Sequence, residues 1–86
     1  MKPSTILVVE DERIIATDLR GSLQDLGYKV PAIASSGESA IELVEKYHPD
    51  LILMDIFLDG EMTGIEAADR INLRHDIPVI FLTAFS

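Results

Sequence analysis

Leu51-Ile52-Leu53-Met54-Asp55 decides how this chain is read: four consecutive apolar residues, with no alternation, run straight into a carboxylate. The arrangement recurs where Thr5-Ile6-Leu7-Val8-Val9 runs into Glu10-Asp11-Glu12, and where Val79-Ile80-Phe81-Leu82 runs into Thr83-Ala84. Unbroken apolar runs of this length suit strands buried on both faces, as in a parallel sheet covered by helices. The parallel strands of one open sheet end on a common edge, and α/β sheets bind their ligands there. Acids and a hydroxyl that lie far apart in sequence are thereby expected to converge on one site.

The segments between these runs carry helical periodicity. Ile15, Leu19, Leu23 and Leu26 recur at helical spacing, and Gly27 stands where a C-terminal cap belongs. Gly21 inside that helix costs roughly 1 kcal/mol relative to alanine, and is either tolerated or allows close packing. A second strand over Tyr28 to Ala34 is interrupted by Pro31, which places it at a sheet edge. Ser35 with Glu38 forms a capping box ahead of Ala40, Leu43, Val44 and Tyr47, and that helix stops near His48-Pro49. Thr63 with Glu66 forms another, with Ile65, Ala68 and Ile71 as the buried stripe of a third helix ending before Pro78. The order βαβαβαβ predicts an α/β fold with a doubly wound parallel sheet.

Composition bounds the function. The chain has 86 residues, 48% of them hydrophobic, which fits one packed domain and leaves no room for a second. Its net charge of −8 offers no basic stripe for nucleic acid and favours cations or basic surfaces as partners. The absence of cysteine excludes disulfides and thiolate metal sites, and fits a reducing compartment. No apolar run is long enough to span a bilayer, so neither membrane nor nucleic acid is expected as a partner and a cytoplasmic location is the default.

The segments Ile6 to Glu12, Leu51 to Asp55 with Gly64 following, and Pro78 to Ala84 together resemble the receiver domain of two-component response regulators, over the whole chain. The resemblance implies a flavodoxin-like fold that accepts a phosphoryl group on Asp55 from a histidine kinase or phosphotransfer protein. It further implies Mg²⁺, with Mn²⁺ able to replace it, held by Glu10, Asp11, Asp55 and the backbone carbonyl of Phe57. Thr83 corresponds to the switch hydroxyl, and Ala84 to the small residue that leaves room for the phosphoryl group. The chemistry agrees: Mg²⁺ takes oxygen ligands, commonly one or two carboxylates with phosphate oxygens and waters. Crowded carboxylates repel one another, and a divalent cation relieves that repulsion.

Two departures from the family pattern stand out. The stretch from Asp55 to Gly64 is one residue longer than usual, with Leu58-Asp59-Gly60-Glu61 in place of the customary proline. The family's lysine after strand 5 has no counterpart before Ser86. The expectation is therefore a receiver domain over residues 1–86 that is incomplete after strand 4, its final helix-strand-helix portion absent, and that self-associates through the open edge of that strand.

Simpler readings compete with these. Glu10-Asp11-Glu12 is also a natural solvated start for a helix, a lone Asp55 a natural end to a strand, and Thr83 an ordinary strand residue. Asp59 and Glu61 read as a solvated loop, His48 and His75 as surface residues near helix ends, Met54 and Met62 as packing. Two rival functions are weighed as well. A Mg²⁺-dependent aspartyl-phosphate phosphohydrolase typically carries a second acid two residues after the nucleophile, where this chain has Phe57. A receiver-like adaptor that binds partners without phosphorylation is favoured only by the missing lysine. The expected role is a phosphoacceptor signalling module rather than a turnover enzyme.

Overall fold

The computed structural model describes residues 3–82. Four strands alternate with three helices: β1 (Ile6–Val9), α1 (Arg13–Asp25), β2 (Ile33–Ala34), α2 (Gly37–Tyr47), β3 (Leu51–Asp55), α3 (Gly64–Asn72) and β4 (Val79–Leu82). The strands form one parallel sheet in the order β2-β1-β3-β4. This is the doubly wound α/β arrangement expected from the sequence, with the proline-interrupted second strand at one edge. No described helix is long and apolar enough to cross a membrane.

The helices divide between the two faces. On one face α2 and α3 cover Leu7, Val9, Ile52 and Met54, which pack with Ala40, Val44, Ala67 and Ile71 into the larger core. On the other, α1 covers Val8 and Val30 through Ala16, Leu19 and Leu23. Among the described strands, only β1 is fully buried on both faces. β3 alternates between buried and half-buried residues, and Ile80 of β4 is 52% exposed. Burial of all three long strands on both faces was expected from their apolar runs; among the described residues α1 is the one helix on its face, too narrow to cover β3 and β4.

Local corrections follow the same logic. In α1, Ala16 is buried, while Ile15 is 40% and Leu26 74% exposed, so the helix turns Leu19 and Leu23 to the sheet and leaves the ends of the expected stripe outside. Leu26 is the cap and Gly27 follows at φ +97°, the left-handed conformation that favours glycine. Gly21 is exposed and its missing Cβ would meet nothing within 4 Å, so it is tolerated rather than required for packing.

β2 shrinks to two residues, since Pro31 has no N–H to give a ladder. The cap of α2 is Ser36 with Ser39 in place of Ser35 with Glu38: the Ser36 hydroxyl accepts the Ser39 N–H at 3.1 Å, and the Ser39 hydroxyl accepts the Ser36 N–H at 3.2 Å. Starting one residue later buries Gly37 beneath Met62. Thr63 and Glu66 form the expected box on α3. There Ala67, Ala68 and Ile71 face the core, while Ile65 is 50% exposed, because the sheet lies toward the 64–67–71 side of the helix.

Candidate functional site

The register of the sheet brings the site together. Val9 of β1 lies opposite Met54 of β3, so the residues that follow, Glu10 and Asp55, emerge side by side at the C-terminal edge. The Glu10 N–H donates to the Ala34 carbonyl at 2.9 Å, which extends the pairing of β1 with β2 and fixes the backbone where the chain leaves the strand. Carboxylate oxygens of Glu10, Asp11 and Asp55 then all lie within 4.8 Å of one another.

The three acids differ in setting. Glu10 is 6% exposed and is the buried charged residue among those described; Asp11 and Asp55 are half-buried. Burial pushes the Glu10 carboxyl up from its ordinary 4.5 to about 7, opposed by the hydrogen bond its Oε1 accepts from the Glu12 N–H at 3.2 Å and reinforced by Asp55 and then Asp11. A solvated helix start does not describe Glu10. It does describe Glu12, which is exposed and caps α1 with its backbone alone.

Beyond Asp55 the backbone turns sharply. The Phe57 N–H donates to Asp55 Oδ1 at 3.3 Å, orienting the carboxylate, and the Gly64 N–H donates to the Ile56 carbonyl at 2.7 Å, drawing the start of α3 against the end of β3. A Cβ on Gly64 would overlap the Asp55 carbonyl oxygen and lie 2.9 Å from its carbon. The approach therefore requires glycine, and it sets where the loop carrying Phe57 begins. The Phe57 side chain is 79% exposed. Asp59 and Glu61 are exposed, in a loop tied to the start of α2 by a parallel bridge between Ser36 and Asp59 and turned at Gly60, with φ +90°. Thr83 and Ala84 lie outside the described residues.

A cavity of about 340 Å³ between α1 and β2 is bounded by Glu10 and Asp11, by Arg13, Thr17 and Arg20 of α1, and by Ser35. The helical spacing of 13, 17 and 20 was the available signal for a basic and hydroxyl-bearing face next to the acidic one. The donor set suits a hard divalent cation: all oxygen, two half-buried carboxylates and one buried one, at the rim of a sheet and open to water.

Comparison with known proteins agrees with this geometry. A family model described as the response regulator receiver domain matches residues 6–86. Transcriptional regulatory protein PdtaR of Mycobacterium tuberculosis is 39% identical over 84 residues, covering 98% of this chain and 40% of that protein. The response regulator PhyR from Brucella abortus has a TM-score of 0.91 at 38% identity, covering 98% of this chain and 35% of that one. PhyR from Bartonella quintana, an anti-anti-sigma factor crystallised with the anti-sigma factor NepR, has a TM-score of 0.88 at 37% identity, again over 98% of this chain and 35% of that one. The chain thus spans two fifths or less of the length of these relatives.

Proposed function

This chain belongs to the response regulator receiver-domain family, and on that premise we propose that Asp55 is its phosphoacceptor, with Glu10 and Asp11 as the acidic pair beside it. The observation that carries the reading is the convergence of carboxylate oxygens from Glu10, Asp11 and Asp55, delivered by the ends of two adjacent strands, to within 4.8 Å of one another. Asp55 is half-buried at the strand end and oriented by the Phe57 N–H, which supports its role as the nucleophile whose carboxylate oxygen attacks phosphorus. A new O–P bond forms as the bond from phosphorus to the donor's leaving group breaks.

Glu10, Asp11, Asp55 and the Phe57 carbonyl are the groups that would hold Mg²⁺ or Mn²⁺. Bound there, the cation supplies positive charge that offsets the clustered carboxylates and draws charge from the phosphoryl oxygens. Thr83 and Ala84 are proposed as the hydroxyl that meets a phosphoryl oxygen and the small residue that leaves it space.

The proposed donor is a histidine kinase or phosphotransfer protein in the cytoplasm, and the chain acts as a signalling module. Its response is proposed to be a changed affinity for a protein partner, a reading supported by the structural neighbour PhyR, which is found in complex with the anti-sigma factor NepR. Among the described residues β4 pairs only with β3 and leaves its other edge open, which supports self-association through that strand.

The test is incubation with a small acyl phosphate and Mg²⁺, followed by intact-mass and peptide mapping. One phosphoryl group on Asp55, lost in Asp55→Asn, is expected. A protein that binds partners yet takes up no phosphoryl group would instead be an adaptor.

A further inference from the structure

Two histidines and a glutamate come near one another at the opposite edge of the sheet, with the ligand atoms of His48 still more than 4.8 Å from completing the set. Glu45 and His48 stand at the C-terminal end of α2, before β3 begins at Leu51; His75 follows α3, before β4 begins at Val79. The acidic triad sits at the far ends of these strands, at least about 13 Å away for a five-residue strand. His48 is exposed, as expected of a surface residue, whereas the His75 side chain is only 18% exposed, its Nε2 lies 3.0 Å from Glu45 Oε1, and its ring meets that of His48 edge-on with centroids 5.9 Å apart.

We propose that Glu45, His48 and His75 form a binding site for a borderline divalent transition metal, Zn²⁺ in the first instance, separate from the hard-cation site at the acidic triad. Two imidazoles and one carboxylate are an established zinc donor set, leaving a fourth position for water. Ligand atoms about 2.0–2.1 Å from a tetrahedral ion are roughly 3.3 Å apart, so the Glu45–His75 spacing needs little change.

His48 completes the set by turning. Its ring is exposed, and its terminal torsion is soft enough to move a ring nitrogen by about 2 Å. Its backbone is held at φ +46° as the cap of α2, its N–H donating to the Val44 carbonyl, so the side chain is presented from a fixed point. The Glu45 carboxylate is held below its ordinary range, first by its hydrogen bond to His75, so it is an available anionic ligand. Arg74 competes for Glu45 at 3.7 Å but is 80% exposed, and an exposed pair of this kind is readily given up. Ligation would clamp the end of α2 to the segment leaving α3, over the groove formed by Ile41, Val44 and Ile71.

The experiment is a Zn²⁺ titration of the protein by calorimetry in excess Mg²⁺, which occupies the acidic triad, with Co²⁺ absorption as a probe of coordination. One Zn²⁺ per chain and the intense visible bands of four-coordinate Co²⁺ are expected. His48→Asn, which keeps a residue tolerant of the left-handed cap, and His75→Gln should each weaken Zn²⁺ at least about tenfold, since loss even of a group that only orients a ligand costs about 10–100-fold, while Asp55→Asn leaves it unchanged. His48 is exposed, so its variant should unfold in urea as the parent does and keeps the test decisive if His75→Gln is unstable. No Zn²⁺ uptake in Mg²⁺, uptake unchanged in His48→Asn, or uptake abolished by Asp55→Asn would each overturn the site.

Discussion

Replacing Glu10 by glutamine should make the metal-free protein more stable at pH 8 and leave it unchanged at pH 4.5. Glu10 is buried beside Asp55 and Asp11, and its carboxyl is pushed up to about 7 from an ordinary 4.5. A carboxyl that holds its proton more tightly folded than unfolded favours the folded state only while protonated. The folded chain then binds more protons than the unfolded one between the two values, so stability falls as pH rises from about 4.5 to about 7 and stays low above that. At about 1.4 kcal/mol for each pH unit, the gap amounts to about 3 kcal/mol, a large share of the stability of a small domain.

Glutamine keeps the shape, has no charge at any pH, and removes this component. The assay is urea unfolding of both proteins in EDTA at pH 4.5, 6 and 8. The two stability curves should meet at pH 4.5 and diverge upward for Glu10→Gln by up to about 3 kcal/mol at pH 8. Mg²⁺ added at pH 8 should narrow the difference by binding the folded parent. Curves that stay parallel from pH 4.5 to 8 would refute the reasoning, since the slope would then come from the other acids of the chain.

Other perturbations give distinct outcomes. Gly64→Ala puts a methyl 2.9 Å from the Asp55 carbonyl carbon and 3.0 Å from Ile56 Cα, so it should cost at least about 2 kcal/mol in urea unfolding and slow acyl-phosphate labelling. Ser36→Ala removes the hydroxyl that accepts the Ser39 N–H and should cost about 1 kcal/mol, with no effect on labelling by mass spectrometry. Asp11→Ala should weaken Mg²⁺ markedly in calorimetry, and unchanged affinity would exclude Asp11 from the site. Ile80→Lys, on the exposed face of the edge strand β4, should shift light scattering toward monomer while Asp55 labels as before.

The sheet was legible because its strands announce themselves: four-residue apolar runs ending in polar residues need no tertiary information to be read as parallel strands. The same runs overstated burial. Val79 to Leu82 is as apolar as Ile6 to Val9, yet Ile80 and Phe81 are exposed, because burial is set by which helices lie over a strand and not by the strand's own composition. Caps behaved likewise. Thr63 was legible since its partner Glu66 is a strong acceptor at the right offset, whereas Ser35 and Ser36 are equally good caps locally. What selects Ser36 is the packing of Gly37 under Met62, a contact made across the fold.

The acids of the site were legible as residues and not as an electrostatic arrangement. The motif named Glu10, Asp11 and Asp55 together, but only the register of β1 on β3, with Val9 beside Met54, makes Glu10 the buried member, its carboxyl pushed up to about 7. The arginines at 13 and 20 share a helical spacing legible in the sequence, but only the packing of α1 beside β2 sets them around a cavity with the acids, and the pairing of His75 with Glu45 joins segments that share no motif. The difference matters for the chemistry. Glu10 is the acid best placed to be neutral without a cation and charged with one, so occupancy of the acidic site and the protonation of Glu10 should be coupled, and cation binding near pH 7 should release a proton. Calorimetry in buffers of different ionisation enthalpy would detect that proton in the parent. Its loss in Glu10→Gln would assign it to the buried acid that the sheet register brings beside Asp55.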